Sequence, residues 1–163
     1  MRYELSINVN YVPNWSITDG IRELLQNAKD SEVEFDAKMS VEHVARVRAG
    51  KKLGTLIICN EGCTLSKEAL LLGTTSKAGR SEMIGAWGEG LKLSCLVLLR
   101  LGVELKIRNG DETWIPKIEH SEKFNADVLV FHVTSGNKYE NRVQFELLGI
   151  DSALWDKLRS NFL

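Results

Sequence analysis

Tyr3, Leu5, Ile7, Val9 and Tyr11 alternate with polar residues, the period-two signature of a strand with one buried face. Pro13-Asn14 turns the chain, and Ser16 then stands as a helix N-cap with Asp19 as the acidic partner of a capping box. Helical spacing continues to about Ser31, with Ile21, Leu24, Leu25 and Ala28 on one side at ~100° per residue. Met39 to Val47 alternates weakly and Leu53 to Cys59 is strongly apolar. Ala49-Gly50-Lys51-Lys52 between them predicts a hairpin, with a helix over Val41 to Arg48 as the alternative. A short helix is expected from Leu65 to Leu72, opening at Ser66, and a longer one from Leu91 to Leu101, stopped by Gly102. Val103 to Arg108, Thr113 to Ile118, Val128 to Thr134 and Arg142 to Leu147 read as strands, with a turn at Asn109-Gly110. Ser152 to Phe162 closes the pattern as a helix.

Helices and strands in this irregular order favour an α+β sandwich over a doubly wound sheet. The 163 residues suit one domain, 1–163, and the apolar finish Asn161-Phe162-Leu163 suggests the N-terminal fragment of a longer protein. A formal net charge of -1 argues against a surface built to coat nucleic acid. No run approaches the ~20 apolar residues that span a bilayer, so no membrane partner is expected. Met1 to Leu5 lacks the pattern of a signal peptide. The three cysteines, Cys59, Cys63 and Cys95, follow no secreted-scaffold spacing, and a reduced, cytoplasmic setting is the plain reading.

Opposite the apolar side of the first helix, Glu23, Asn27 and Asp30 form a polar stripe. A carboxylate and an amide one turn apart suit a hydrated magnesium ion and an oriented water; an ordinary wet helix face is the simpler alternative. Further on, Asn60-Glu61-Gly62-Cys63-Thr64 follows the apolar run ending at Cys59. Gly73 to Gly90 is rich in Gly, Ser and Thr and ends in Ile84-Gly85-Ala86-Trp87-Gly88-Glu89-Gly90-Leu91. Gly85, Gly88 and Gly90 leave backbone N–H groups open to phosphates at a helix start. Their order is not that of a dinucleotide-binding fingerprint, and no Lys-Ser/Thr ending marks a P-loop.

These segments together resemble the GHKL superfamily, whose ATP-binding domain occurs in DNA gyrase, heat-shock chaperones, sensor histidine kinases and mismatch-repair ATPases. Glu23-Leu24-Leu25-Gln26-Asn27-Ala28-Lys29-Asp30 resembles its Glu-x-x-x-Asn-x-x-Asp box. Asn60 to Thr64 takes the place of Asp-x-Gly-x-Gly, and Ile84 to Leu91 is similar to the Gly-x-x-Gly-x-Gly box that closes the ATP lid. Short bacterial and phage-encoded members are similar around Tyr11 to Trp15 and Ile21 to Ala28.

The resemblance implies a Bergerat-type two-layer sandwich, with a mixed, largely antiparallel sheet covered by helices on one face. It implies Mg2+ and ATP as cofactor and ligand, and ATP hydrolysis with Glu23 as general base. Asn27 would hold magnesium; Asp30, Gly62, Lys77, Gly85, Gly88 and Gly90 would complete the nucleotide site. Asn60 stands where the family's adenine-reading aspartate is expected. Its amide can accept through oxygen or donate through nitrogen, so narrower discrimination between adenine and guanine is expected, with adenine still preferred and the preference sharpened by Asn60→Asp. Thr64 replaces a glycine, and Ala126-Asp127 stands where many members have Gly-Thr. Gyrase and mismatch-repair relatives add a second domain that supplies a catalytic lysine, and nothing after residue 135 is long enough to be it. A complete chain is then expected to hydrolyse ATP slowly or not at all, and a fragment to have its site completed by the missing part; weak or conditional ATPase activity used as a conformational switch is the expectation. The lid, Gly73 to Ile84, would present a surface to a protein partner or a second copy on binding ATP or ADP. Two rivals remain at this point: a non-hydrolysing binding module, and a scaffold whose stripe and glycines are structural.

Overall fold

The computed structural model describes residues 1–11, 14–71, 82–83 and 88–162. Strand β1 (Arg2–Asn8) leads to helix α1 (Ile17–Phe35), and the hairpin β2 (Lys38–Arg48) and β3 (Lys51–Glu61) follows. The short β4 (Thr64–Leu65), α2 (Lys67–Leu71) and β5 (Glu82–Met83) come next, then α3 (Gly88–Arg100). Four strands, β6 (Glu104–Asn109), β7 (Glu112–Ser121), β8 (Ala126–Ser135) and β9 (Arg142–Leu148), precede α4 (Ser152–Phe162).

The main sheet has seven strands in the order β1-β8-β7-β6-β9-β3-β2, and each neighbouring pair is antiparallel. The fold is therefore α+β, as the sequence pattern suggests. The expected mixed sheet is corrected: among the described residues the parallel pairing is confined to β4–β5, a separate two-stranded sheet. The stretch 41–48 is a strand, because Ala49 (φ 52) and Gly50 (φ 76) both take the left-handed conformation of a tight hairpin turn.

Helix α1 begins at a full capping box. Ser16 Oγ accepts from Asp19 N–H at 3.2 Å, and Asp19 Oδ2 accepts from Ser16 N–H at 2.9 Å. Its apolar side, Ile21, Leu24, Leu25 and Ala28, is buried against the sheet with Trp114, Phe131 and Phe145. Trp114 and Phe131 meet edge to face, ring centroids 6.1 Å apart. Helix α1 packs against both α3 and α4 on this face of the sheet. The opposite face carries the Arg2–Glu119 and His132–Glu119 pairs at 3.0 and 2.6 Å. Arg22 lies over the Phe162 ring at 4.7 Å and Lys29 Nζ donates to Phe162 O, which seats α4 on α1.

A proline in the middle of the sheet has a specific cause and effect. The β6–β7 ladder runs from Asn109↔Glu112 to Ile107↔Trp114 and stops. Two residues further, in the same hydrogen-bonding phase, Leu105 would face Pro116, which has no N–H to donate. β7 continues on β8 alone, with Pro116 opposite Phe131. The strands part around a crevice of about 670 Å³ lined by Leu99, Leu105, Ile115, Pro116, Ile118 and Leu148.

Candidate functional site

Helical geometry carries Glu23 and Asn27 to the border of α1's buried face. Asn27 is buried, and its Nδ2 donates to Glu23 Oε1 at 3.4 Å, a long and weak bond. Asp30 lies ~60° round the helix from Asn27 at ~100° per residue, is exposed, and accepts from Gln26 Nε2 at 2.9 Å. The structure thus joins two members of the polar stripe and leaves the third in solvent.

The start of α3 meets this pair. A Cβ on Gly90 would overlap Glu23 Oε1 and come to 3.0 Å from its Cδ. Further along the same two helices, a Cβ on Gly20 would lie 3.0 Å from Leu98 Cγ. Glycine on each helix lets the backbones approach, with the first turn of α3 at the Glu23 carboxylate. At Gly88 a Cβ would meet nothing within 4 Å among the described residues. The N–H groups of a helix's first turn, set beside a carboxylate and an amide, make a place for a cation and an anion together.

Asn60, on β3, is almost wholly enclosed at 1% exposure. Its Nδ2 donates to Ala28 O at 2.9 Å and to Ala37 O at 3.1 Å. Both partners are carbonyls that only accept, so the amide has one orientation, and both N–H bonds are used. This corrects the expectation that the nitrogen is free to serve a guanine: what Asn60 has left to offer is an acceptor. Ala37 reaches it because Asp36 ends α1 in the left-handed conformation, φ 54. Gly62 has φ 109, with Ala37 Cα 3.7 Å from where a Cβ would be. Glycine is required there by backbone conformation rather than by lack of room. Its N–H donates to Asn141 O at 2.8 Å.

Lys77 and Gly85 lie outside the described residues, as does most of the expected lid. Sequence reasoning missed Ala28 and Ala37, whose contribution is a carbonyl that residue type does not announce. It also read Asn109 only as a turn residue. Asn109 is buried, accepts from Leu65 N–H at 2.7 Å and donates to Leu65 O at 3.0 Å. His43 has a structural account: it bonds Ile150 O at 2.8 Å and stacks on Trp155 beside a groove of about 630 Å³, away from Glu23 and Asn60. Cys59, Cys63 and Cys95 are buried, and burial pushes the Cys63 thiol up to about 11. Among the described residues no three of His, Cys, Asp and Glu converge on one point.

Glu23 and Asn27 each carry a side-chain oxygen, and the Glu23 carboxylate itself occupies the space beside Gly90 that a methyl group would need. This set fits a magnesium ion that takes its other ligands from water and phosphate.

No family model matches the sequence. Over 167 aligned residues the chain is 25% identical to an uncharacterized protein of Mycoplasma pneumoniae, a match that covers all of this chain and 66% of that protein. The chain thus spans just under two thirds of that relative's length.

Proposed function

We propose that this chain binds Mg-ATP as a GHKL-type domain with weak or conditional hydrolysis. The observation that carries the reading is the meeting of Glu23, Asn27 and Gly90, which joins the first and last of the three sequence boxes at one point. The acceptor left on Asn60 suits the exocyclic amine of adenine and opposes the carbonyl of guanine. Asn27, with Glu23 beside it, would hold the magnesium ion, which when bound neutralises phosphate charge. The first turn of α3 would face the phosphates with its N–H groups.

In hydrolysis Glu23 would accept the proton of a water whose oxygen bonds to the terminal phosphorus. The bond from that phosphorus to the bridging oxygen breaks, leaving ADP and inorganic phosphate. The ATP-bound form would be read by a protein partner or a second copy. Calorimetric titration with ATP, ADP and GTP, with magnesium and with EDTA, tests the binding. ATP should bind more tightly than GTP, and more tightly with magnesium. Absence of ATP binding in both conditions overturns the proposal.

A further inference from the structure

We infer that the free edge of β2 is an interface for a second copy of this chain, the two β2 strands pairing antiparallel about Val44 into one continuous sheet. This surface stands apart from the nucleotide reading and requires no ligand. β2 ends the sheet order and pairs with β3 without a bulge from Lys38↔Glu61 to Arg48↔Lys51. The direction of its free groups follows from β3. Gly54 O accepts from Gly149 and Ile150 N–H, and Gly62 N–H donates to Asn141 O, so even-numbered residues of β3 bond on the β9 side. Odd-numbered ones bond to β2, where the register turns Ser40, Glu42 and Val44 inward and Val41, His43 and Ala45 outward. Met39 shares the outward phase, and Glu32 Oε2 accepts its N–H at 2.7 Å. Among the described residues no group bonds the outward N–H and C=O of Val41, His43 or Ala45.

Proteins ordinarily blunt such an edge with proline, a bulge or repelling charge. No proline or bulge interrupts 38–48, and Lys38, Glu42 and Arg46 alternate in sign at every fourth position. That alternation selects a register for self-pairing. A two-fold centre at Glu42 sets carboxylate against carboxylate, and one at Val41 calls for the Met39 N–H that Glu32 holds. Centres at His43 or Ala45 set Val44 against a charged residue. A centre at Val44 places Glu42 of each copy opposite position 46 of the other, an arginine. The two Val44 residues then meet in a non-hydrogen-bonded pair, where side chains come closest. His43 exchanges bonds with Ala45 of the other copy, and Val41 with position 47, for about eight backbone hydrogen bonds in all. The His43 ring does not obstruct this, because it is held back on Ile150 O at 2.8 Å and stacked on Trp155. Beside it the groove of about 630 Å³ between β2 and α4 leaves room for the small side chain of the second copy's Ala45.

The test is the oligomeric state of the full chain without nucleotide, by sedimentation equilibrium and light scattering from micromolar to millimolar concentration. The chain should pass from monomer to dimer as concentration rises. Ala45→Pro removes an outward donor from each copy and leaves the β3 ladder whole, so it should raise the dissociation constant at least about tenfold. Glu42→Arg should weaken the dimer in the same direction by setting like charges opposite one another, and adding Arg46→Glu should restore it. This charge reversal carries the test if Ala45→Pro does not fold. An unaltered chain that stays monomeric, or a dimer that both single variants leave intact, overturns the interface. A double variant that dimerises no better than Glu42→Arg overturns the register about Val44.

Discussion

The backbone of Gly90 lies directly against the carboxylate of Glu23, so that a single added methyl group would overlap Oε1. The obstructed atom is the far end of a flexible side chain, which can swing aside. Alanine also has the better helix propensity, by ~1 kcal/mol. Gly90→Ala should therefore change stability by less than about 1 kcal/mol while turning Glu23 away from Asn27. Denaturant unfolding should be nearly unchanged and ATP turnover lowered. Retention of both, with Glu23 still active, would show that the close approach serves packing alone.

Asn60→Asp should destabilise the fold rather than restore a better base reader. A carboxylate at that point would face the carbonyl oxygens of Ala28 and Ala37 with nothing to donate. The cost is about 1–3 kcal/mol for the lost bonds, with repulsion added. The folded state would raise the pKa of the introduced carboxyl, so the variant's stability should be greater at acid pH and fall as pH rises through that value. Urea midpoints of variant and parent across pH 4 to 8 check the sign. Equal midpoints at neutral pH would refute the donor assignment.

Glu23→Ala should keep ATP binding and lose turnover by about 10²- to 10⁴-fold, the usual cost of removing a general base. Asn27→Ala should bind ATP about equally in magnesium and in EDTA, because the side chain that would hold the ion is gone. Phosphate release assays and paired titrations separate the two effects. Unchanged turnover in Glu23→Ala removes that residue from the chemistry.

Pro116→Val offers Leu105 the N–H that the ladder lacks. Valine suits a strand, but the unfolded chain also regains freedom worth roughly 0.4–1 kcal/mol, so net stability should move by less than about 1 kcal/mol. The decisive reading is amide exchange at position 116 itself. Protection means that β6 and β7 have zipped and the crevice has closed; rapid exchange means that neighbouring side chains, not the missing donor, hold the strands apart.

Glu119 is held below the usual carboxylate range by its bond from His132 and then by Arg2; Glu4 is lowered chiefly by Arg2 and Asp19 by Ser16. A carboxyl with a lowered folded pKa contributes stability above its unfolded pKa and loses it as pH falls through the folded value. The chain should therefore lose stability on acidification below the ordinary carboxylate range. Glu119→Gln should flatten that decline, since the glutamine does not titrate. An equally steep acid limb in the variant would assign the effect to other groups.

Much of the fold was legible because its elements carry their own local signals. The capping box at Ser16 and Asp19, the tight turn at Ala49-Gly50 and the alternation of the later strands each depend on neighbours in sequence. Strand order was not legible: β9 lies between β6 and β3, a placement made by side chains far apart along the chain. Pro116 would ordinarily argue against a central strand, and it is tolerated here because its nitrogen faces the side where pairing has ended.

By itself the sequence determined which residue types were available and their spacing: a carboxylate and an amide one turn apart, an amide after an apolar strand, and glycines before a helix. Helical and strand periodicity are local, so these placements needed no knowledge of the rest of the chain. Tertiary structure alone decided which of them meet. Helix packing set Gly90 against Glu23 and left Asp30 in solvent, since Asn27 and Asp30 straddle the edge of the buried face. It also turned Asn60 from an ambivalent amide into an acceptor. The cause is that Ala28 and Ala37 present carbonyls to its nitrogen, and a backbone carbonyl's position is fixed by the path of the chain rather than by the identity of the residue.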